Sequence, residues 1–173
     1  MADIKTLTDL YRHMEWADAT VWAAVLASEK AQADEGLRNC LYHIHVVQRA
    51  FLRTWRGESH ETPYPQFDDA QSLMRWGQAY YGEARAYLGT LDDEQTPAPM
   101  PLAWAPLVTQ QLGRAPETTT VGETVLQVAL HSQYHRGQAN ALLRGVGVEP
   151  PLVDYIAWVW LGRPTAEWPA IAP

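Results

Sequence analysis

The spacing of the apolar residues is the feature that most constrains this chain, because it repeats at three- and four-residue steps over four long segments. In the first segment, which begins after Asp3, the stripe consists of Leu7, Leu10, Tyr11, Met14, Val21 and Val25. Residues at this spacing lie on one face of an α-helix, and that face must pack against other helices. No segment gives a convincing central strand. The sequence therefore predicts an all-α protein built on a four-helix bundle.

Caps and breakers give the limits of the second and third helices. The second is predicted over residues 35–56, with Gly57 ending it. The segment that follows contains two prolines and is predicted to be a loop. Asp68 then reads as an N-cap, with Gln71 at the capping-box position, and the apolar stripe of the third helix continues to Leu91.

A long connection, residues 92–119, separates the third and fourth helices. It has no helical periodicity, and five prolines punctuate it: Pro97, Pro99, Pro101, Pro106 and Pro116. Compact domains seldom keep so long a connection without structure or purpose. It permits a crossover instead of a simple up-down-up-down order. We expect a long loop over one end of the bundle, or a short hairpin within residues 102–112.

The fourth helix begins at a capping box, Thr120-Val121-Gly122-Glu123, in which the Thr and Glu side chains bond reciprocally to the first backbone N–H groups. It is predicted to end near Gly145 or Gly147. Two prolines at 150 and 151 prevent its continuation, and residues 154–161 form a short final helix.

Composition excludes several function classes. A chain of 173 residues has the length of a single domain, taken as residues 1–173, and its net charge of −7 opposes binding to nucleic acid or to anionic membranes. The first residues do not read as a secretory signal, and no apolar run reaches the length of a membrane span. One cysteine, Cys40, allows no internal disulfide. We therefore expect a cytoplasmic protein.

The chemistry-bearing motif lies on the fourth helix, where His131 and His135 are four residues apart and share one face. Helix phase puts His135 near the centre of the buried face and His131 toward its edge. Two inward imidazoles need partners for four ring nitrogens, and a divalent metal supplies them. Gln138 lies on the same side and could hydrogen-bond a ligand, and we expect Gln48 and Asp18 to support the ligands as well. The alternative is a pair of core histidines satisfied by Asp18, Gln48 or backbone carbonyls.

A third ligand must come from another helix. The second helix offers Cys40, His43 and His45. The two histidines lie on opposite shoulders of the apolar stripe, so phase does not choose between them, while a lone buried cysteine is more often a small apolar side chain than a ligand. His13 reads as a surface residue on a helix flank. Asp18 falls on the apolar stripe of the first helix, where it needs an internal partner or marks the rim of a polar cavity.

Three stretches resemble the DinB-like (DinB/YfiT) metalloenzyme family. Residues 11–18 (Tyr-Arg-His-Met-Glu-Trp-Ala-Asp) loosely keep its first-helix signature, and residues 41–48 (Leu-Tyr-His-Ile-His-Val-Val-Gln) resemble its Leu-x-His-Ile pattern. Residues 131–138 (His-Ser-Gln-Tyr-His-Arg-Gly-Gln) closely resemble its His-x-x-x-His-Arg-Gly-Gln motif. The resemblance covers nearly the whole chain.

Position by position, the resemblance implies that His43, His131 and His135 are the metal ligands, and it selects His43 over His45. It also implies a bundle with crossover order, frequent homodimers and a divalent metal such as nickel, zinc or iron. Relatives include transferases and isomerases that use a low-molecular-weight thiol, and many have no established activity.

Three neutral imidazoles would leave a metal its charge and an open coordination position, as in catalytic sites. Such a metal can hold water or a thiol in its deprotonated, nucleophilic form. We therefore expect an enzyme of the thiol S-transferase kind acting on a small-molecule substrate. The alternatives are a non-catalytic metal or small-molecule binding protein of the stress response, a metal-dependent hydrolase and a purely structural bundle. Gln48 stands where relatives often carry Glu, which weakens carboxylate-assisted hydrolysis.

Overall fold

The computed structural model describes residues 2–170, which are helical and contain no strand. The helices are α1 (Ile4–Leu26), α2 (Glu29–Ala33), α3 (Glu35–Arg56), α4 (Ala70–Leu88), α5 (Thr109–Leu112), α6 (Val121–Gly145) and α7 (Tyr155–Trp160). Four of them are long, and they pack as a bundle around two apolar clusters. The prediction of an all-α helical bundle is confirmed. No helix in this part of the chain is long and apolar enough to cross a membrane.

The helix limits follow the caps that the sequence contains, except at the two ends of α4. Its apolar stripe was predicted to continue to Leu91, but the helix ends at Leu88 with Gly89 as its C-cap. The Asp3 carboxylate accepts a hydrogen bond from the Thr6 backbone N–H at 2.7 Å, and α3 ends at Gly57, whose φ of 65° suits glycine. The prediction that Asp68 caps α4 with Gln71 is wrong by one residue. Asp69 is the cap, because its carboxylate accepts from both the backbone N–H and the hydroxyl of Ser72.

The helices follow a crossover order around the bundle, because α1 and α3 are not neighbours in it. α1 packs against α4 and α6, and α3 packs against the same two helices. The order around the bundle is therefore α1, α4, α3, α6, and helices that follow one another in the chain, α1 and α3, lie on a diagonal. The short α2 makes the turn between them, with Ser28 as its N-cap.

Residues 92–119 form no hairpin. The segment instead contains a turn of 3-10 helix, Ala105–Val108, followed by α5. Proline has no N–H to donate, so a proline-rich segment cannot make a regular ladder. The segment is tied to the start of α6 by backbone bonds, from Met100 N to Thr119 O at 2.6 Å and from Val121 N to Ala98 O at 2.9 Å. Its only ladder-like feature among the described residues is the isolated bridge between Pro99 and Thr120.

The C-terminal segment covers a flank of α1, and this makes the prediction that His13 lies on the surface wrong. His13 is only 5% exposed and its Nε2–H donates to the carbonyl of Val153 at 2.9 Å. Its ring contacts Tyr155 and Trp158 of α7. Trp158 is fully buried, and its indole N–H donates to the carbonyl of Pro164 at 2.9 Å. Periodicity along α1 could not reveal this cover, because it comes from the other end of the chain.

Candidate metal centre

Three histidines meet where α3 packs against α6. Each of His43, His131 and His135 offers a ring nitrogen, and these three atoms lie within 4.8 Å of one another. The Nε2 atoms of His43 and His131 are 3.2 Å apart. Two imidazole nitrogens bound to the same metal at its usual bond length are roughly 3.0–3.4 Å apart. The cluster is therefore compatible with one divalent metal ion, and it joins a ligand from α3 to an i, i+4 pair from α6.

The histidines lie at the surface of the bundle and not inside it. His131 and His135 are half-buried and His43 is exposed, so the prediction that phase places His131 and His135 in the interior is wrong. The buried line of α6 passes instead through Ser132 and Arg136, the residues that directly follow the two ligands. Arginine is seldom fully buried, so the sequence pattern did not predict the burial of Arg136. Because Arg136 is buried, α6 is rotated so that His131 and His135 lie at the edge of its buried face.

The environment lowers the pKa of two of the imidazoles, those of His131 and His43, and so favours the neutral form that binds metal. Partial burial, and then the neighbouring His135 and His43, lower the pKa of His131 to about 4. Burial and then His135 also lower the pKa of His43. Gln138 lies beside the cluster, with its Oε1 2.8 Å from His135 Nδ1. If that nitrogen donates its proton to the amide oxygen, Nε2 of His135 is left with a lone pair for a ligand bond.

Gln48 and Asp18, which we expected to support the ligands, lie in a separate buried cluster that we call the interior network. Among the described residues, neither makes a hydrogen bond to any of the three histidines. Asp18 accepts from Tyr81, Arg136 and Gln48 and is 4% exposed. The expectation that Asp18 finds a partner inside the bundle therefore holds, and the partner is the guanidinium of Arg136.

His45 belongs to the same interior network. Its Nε2 accepts from the indole N–H of Trp22 at 3.0 Å, so Nδ1 carries the proton and donates to Gln48 Oε1 at 2.8 Å. The amide N–H₂ of Gln48 then donates toward Asp18 and toward Ser132 at 3.3 Å. Both ring nitrogens of His45 are thus satisfied by protein. Helix phase did not choose between His43 and His45 as the ligand from α3. In the structure His43 is exposed and lies beside His131, whereas His45 is buried and bonded to Trp22 and Gln48.

Cys40 does not join the three ligand nitrogens. Its thiol lies 3.4 Å from the backbone carbonyl of His135, to which it donates, and partial burial raises its pKa. A protonated thiol bonded to backbone is a packing group more than a ligand. It does link α3 to α6 directly behind the histidines.

A pocket opens beside the cluster and has His131 as one of its lining residues. Its volume is about 490 Å³, which is within the range of small-molecule sites. Phe51 of α3, Trp104 of the long connection and Gln127 of α6 form three of its sides. None of these residues was predicted as part of a site, because they lie far apart in the chain and share no motif. The one feature of the sequence that could have indicated the pocket is Trp104, a large aromatic residue within the proline-rich connection.

Comparison with known proteins gives a family and no closer relative. A family model described as the DinB family matches residues 1–166 of this chain. A search of curated proteins finds no significant match. The match spans the whole bundle together with α7 and contains all three clustered histidines.

Proposed function

The chain belongs to the DinB family, and from this premise we propose that it is a metal-dependent enzyme in which His43, His131 and His135 hold one divalent cation. The observation that supports the proposal best is the convergence of three ring nitrogens within 4.8 Å. Imidazole nitrogens suit zinc, nickel or iron, and three of them leave a coordination position free. When bound, the metal would act as a Lewis acid that holds water or a thiol in its deprotonated form.

The residues around the cluster have definable tasks. Gln138 would orient His135 through its contact with Nδ1, and the lowered pKa of His131 keeps that ring free of a competing proton. The pocket that shares His131 would hold a small-molecule substrate against the open position. We therefore favour transfer of a low-molecular-weight thiol to an electrophile, the reaction class that the family resemblance suggests.

A metal-dependent hydrolase has weaker support, because the described residues around the histidines include no suitable base. Gln48 cannot act as a carboxylate base, and it is fully buried in the interior network. The carboxylate that lines the pocket, Glu123, accepts from the backbone N–H and the hydroxyl of Thr120, and these bonds lower its pKa and make it a weak base.

Metal analysis of tag-free protein tests the site. After supplementation with zinc, nickel or ferrous iron we expect close to one equivalent, falling below a tenth of an equivalent in His131→Ala. His60→Ala, which changes an exposed histidine outside the cluster, is the matched control and should bind like the parent. Equal metal content in the parent and in His131→Ala would remove the site.

Turnover of an electrophile separates an enzyme from a binding protein. With metal bound, we expect thiol-dependent conversion of monochlorobimane or chlorodinitrobenzene, lost in His131→Ala. Stoichiometric metal without conversion by any common low-molecular-weight thiol would favour a non-catalytic metal or small-molecule binding protein.

Two wider features complete the proposal. We place the protein in the cytoplasm, since its one cysteine is free, and cell fractionation tests this. We also expect a homodimer, as the resemblance implies. Exposed apolar side chains on α6 and α7, such as Leu130, Ile156 and Trp160, offer a surface for it. Sedimentation equilibrium would give the mass directly.

A further inference from the structure

The pocket beside the histidine cluster has three walls and one end at the ligands. α3 contributes Phe51, the long connection contributes Trp104, and α6 contributes Glu123, Thr124, Gln127 and His131. Because His131 lines both the pocket and the metal cluster, a molecule in the pocket has one end at the metal. This arrangement couples what the pocket accepts to what the metal can activate.

The apolar wall of this pocket is formed before any ligand arrives. The ring of Trp104 lies 5.2 Å from that of Phe51 at 84° and 5.3 Å from that of His60 at 82°, so it is held between two edge-to-face partners. Phe51 itself is only 6% exposed and is fixed in the core. A wall held in this way offers a flat aromatic surface at little cost in conformational entropy.

The charge of the pocket selects against anions. Among the described residues that line it, Glu123 is acidic and none is Lys or Arg. The whole chain carries a net charge of −7. The hydroxyl of Thr124 is already engaged, since it accepts from the Trp55 indole N–H at 2.9 Å and donates to the carbonyl of Val121 at 2.7 Å. Apart from the metal at one end, the described lining of the pocket therefore offers no cation that could pair with a carboxylate or phosphate of a ligand.

We infer that this pocket binds the uncharged, flat apolar part of the substrate, an aromatic or heteroaromatic group, with the substrate's metal-binding end at His131. The inference rests on the proposed metal site and names the substrate class for it. It also assigns the pocket to the electrophile, because the carboxylates of an acidic thiol cofactor would find no cation along the walls of the pocket. Trp104 and Phe51 are then the residues that determine specificity.

Three hydroxamic acids with the same metal-binding head test the inference by calorimetry on zinc-loaded protein. Acetohydroxamic acid has no ring, benzohydroxamic acid has a neutral ring, and 4-carboxybenzohydroxamic acid has a charged one. Burial of the ring should make benzohydroxamic acid bind about tenfold more tightly than acetohydroxamic acid, after correction for their affinities for free zinc. The added carboxylate should weaken binding by about fivefold.

Three variants test whether the ring of benzohydroxamic acid binds in this pocket. In Trp104→Ala the advantage of the ring should fall to about twofold, while Trp160→Ala, an exposed Trp of α7, should leave it unchanged. Gln127→Arg changes an exposed residue and leaves the core intact. It should reverse the preference, so that the carboxylated probe binds more tightly than the neutral one.

The outcomes separate this inference from the metal proposal. If zinc does not bind, the proposed function fails and the inference fails with it. If all three hydroxamic acids bind with equal affinity, the metal site stands and the aromatic pocket is overturned. If the carboxylated probe binds most tightly to the unmodified protein, or if Trp104→Ala leaves the advantage of the ring intact, the assignment of a neutral substrate to this pocket is wrong.

Discussion

Two histidine-containing clusters occupy the same pair of helices and differ in how their polar atoms are paired. α3 gives His43 to the metal cluster and His45 to the interior network, and α6 gives His131 to the first and Ser132 to the second. Both ring nitrogens of His45 have protein donors or acceptors, whereas Nε2 of His43 and Nε2 of His131 face each other at 3.2 Å. Convergent nitrogens without protein donors indicate a ligand site, and fully bonded ones indicate structure.

The largest effect is expected in the interior network. Asp18→Asn removes the anion that pairs with Arg136, and both side chains are almost completely buried. An unpaired buried guanidinium should lower the free energy of unfolding by about 3–5 kcal/mol. Urea denaturation of metal-free protein measures this.

Arg85→Ala is the matched control for Asp18→Asn. It breaks an ion pair with Glu15 in which the Arg85 side chain is 56% exposed, so it should change stability by less than about 1 kcal/mol. A similar loss in both variants would mean that the interior network contributes no more than a surface pair.

The metal cluster should show the opposite behaviour to the interior network. His131→Ala should lower zinc affinity by more than about a hundredfold, beyond the usual effect of losing a supporting contact. The same variant should leave the metal-free protein as stable as the parent within about 0.5 kcal/mol. The reason is that His131 is only half-buried and makes no hydrogen bond to the interior network. A large loss of stability without metal would make the cluster structural and remove the contrast.

Gly77 tests how tightly the interior network is packed. A Cβ at this position would lie 2.3–2.6 Å from three atoms of the His45 ring. Gly77→Ala should therefore destabilise the protein by about 1–3 kcal/mol, although Ala favours a helix. Gly82→Ala in the same helix meets nothing within 4 Å and should stabilise by up to about 1 kcal/mol. Thermal unfolding of the two variants gives the comparison, and equal shifts would contradict it.

Gln138 tests whether the metal cluster has support of its own. Gln138→Ala removes the acceptor 2.8 Å from His135 Nδ1 and should reduce zinc affinity by about tenfold. Gln138→Glu keeps an acceptor at this place and should retain the affinity. Competition with a zinc-binding dye measures both, and an unchanged affinity in Gln138→Ala would show that His135 needs no orienting partner.

His13 gives the smallest expected effect, as a buried histidine outside both clusters. Burial lowers its pKa below 6.5, and nearby Arg136 lowers it further against the opposing bond to Val153. The unfolded chain thus binds more protons than the folded one below pH 6.5, so stability is present above that pH and falls as the solution is acidified. We expect the free energy of unfolding to fall between pH 7.5 and 5, and this loss to shrink in His13→Gln. Urea titrations at both pH values decide it, and an identical loss in the variant would assign it elsewhere.

Local signals predicted much of the fold. The cap at Asp3, the stop at Gly57 and the capping box at Thr120 all lie where the sequence indicates, because each depends on residues within one helical turn. The N-cap of α4 moved from Asp68 to Asp69, since adjacent Asp residues offer equivalent caps. The short hairpin that we considered within residues 102–112 does not form, because prolines lack the N–H groups that its ladder would need.

Features that depend on distant residues were less predictable. The burial of Arg136 needs Asp18, and it decides which face of α6 turns inward. Spacing predicted that His131 and His135 lie together on one face of α6. Helix phase, however, put that face in the interior of the bundle, whereas both side chains are half-buried at its surface. The pocket requires Trp104 and Phe51 to meet across the chain, and no local pattern indicates such a meeting.

The crossover order has a consequence for the newly made chain. His43 and His131 are separated by 88 residues, and the helix that follows α3, namely α4, supplies no nitrogen to the cluster. A growing chain that has formed α1, α3 and α4 therefore presents one lone imidazole, too weak to retain a metal ion. Only after α6 has left the ribosome and docked against α3 does the ligand set exist. If the proposed metal site is right, metal loading should report the docking of α6 against α3, and chains made only as far as α4 should stay metal-free.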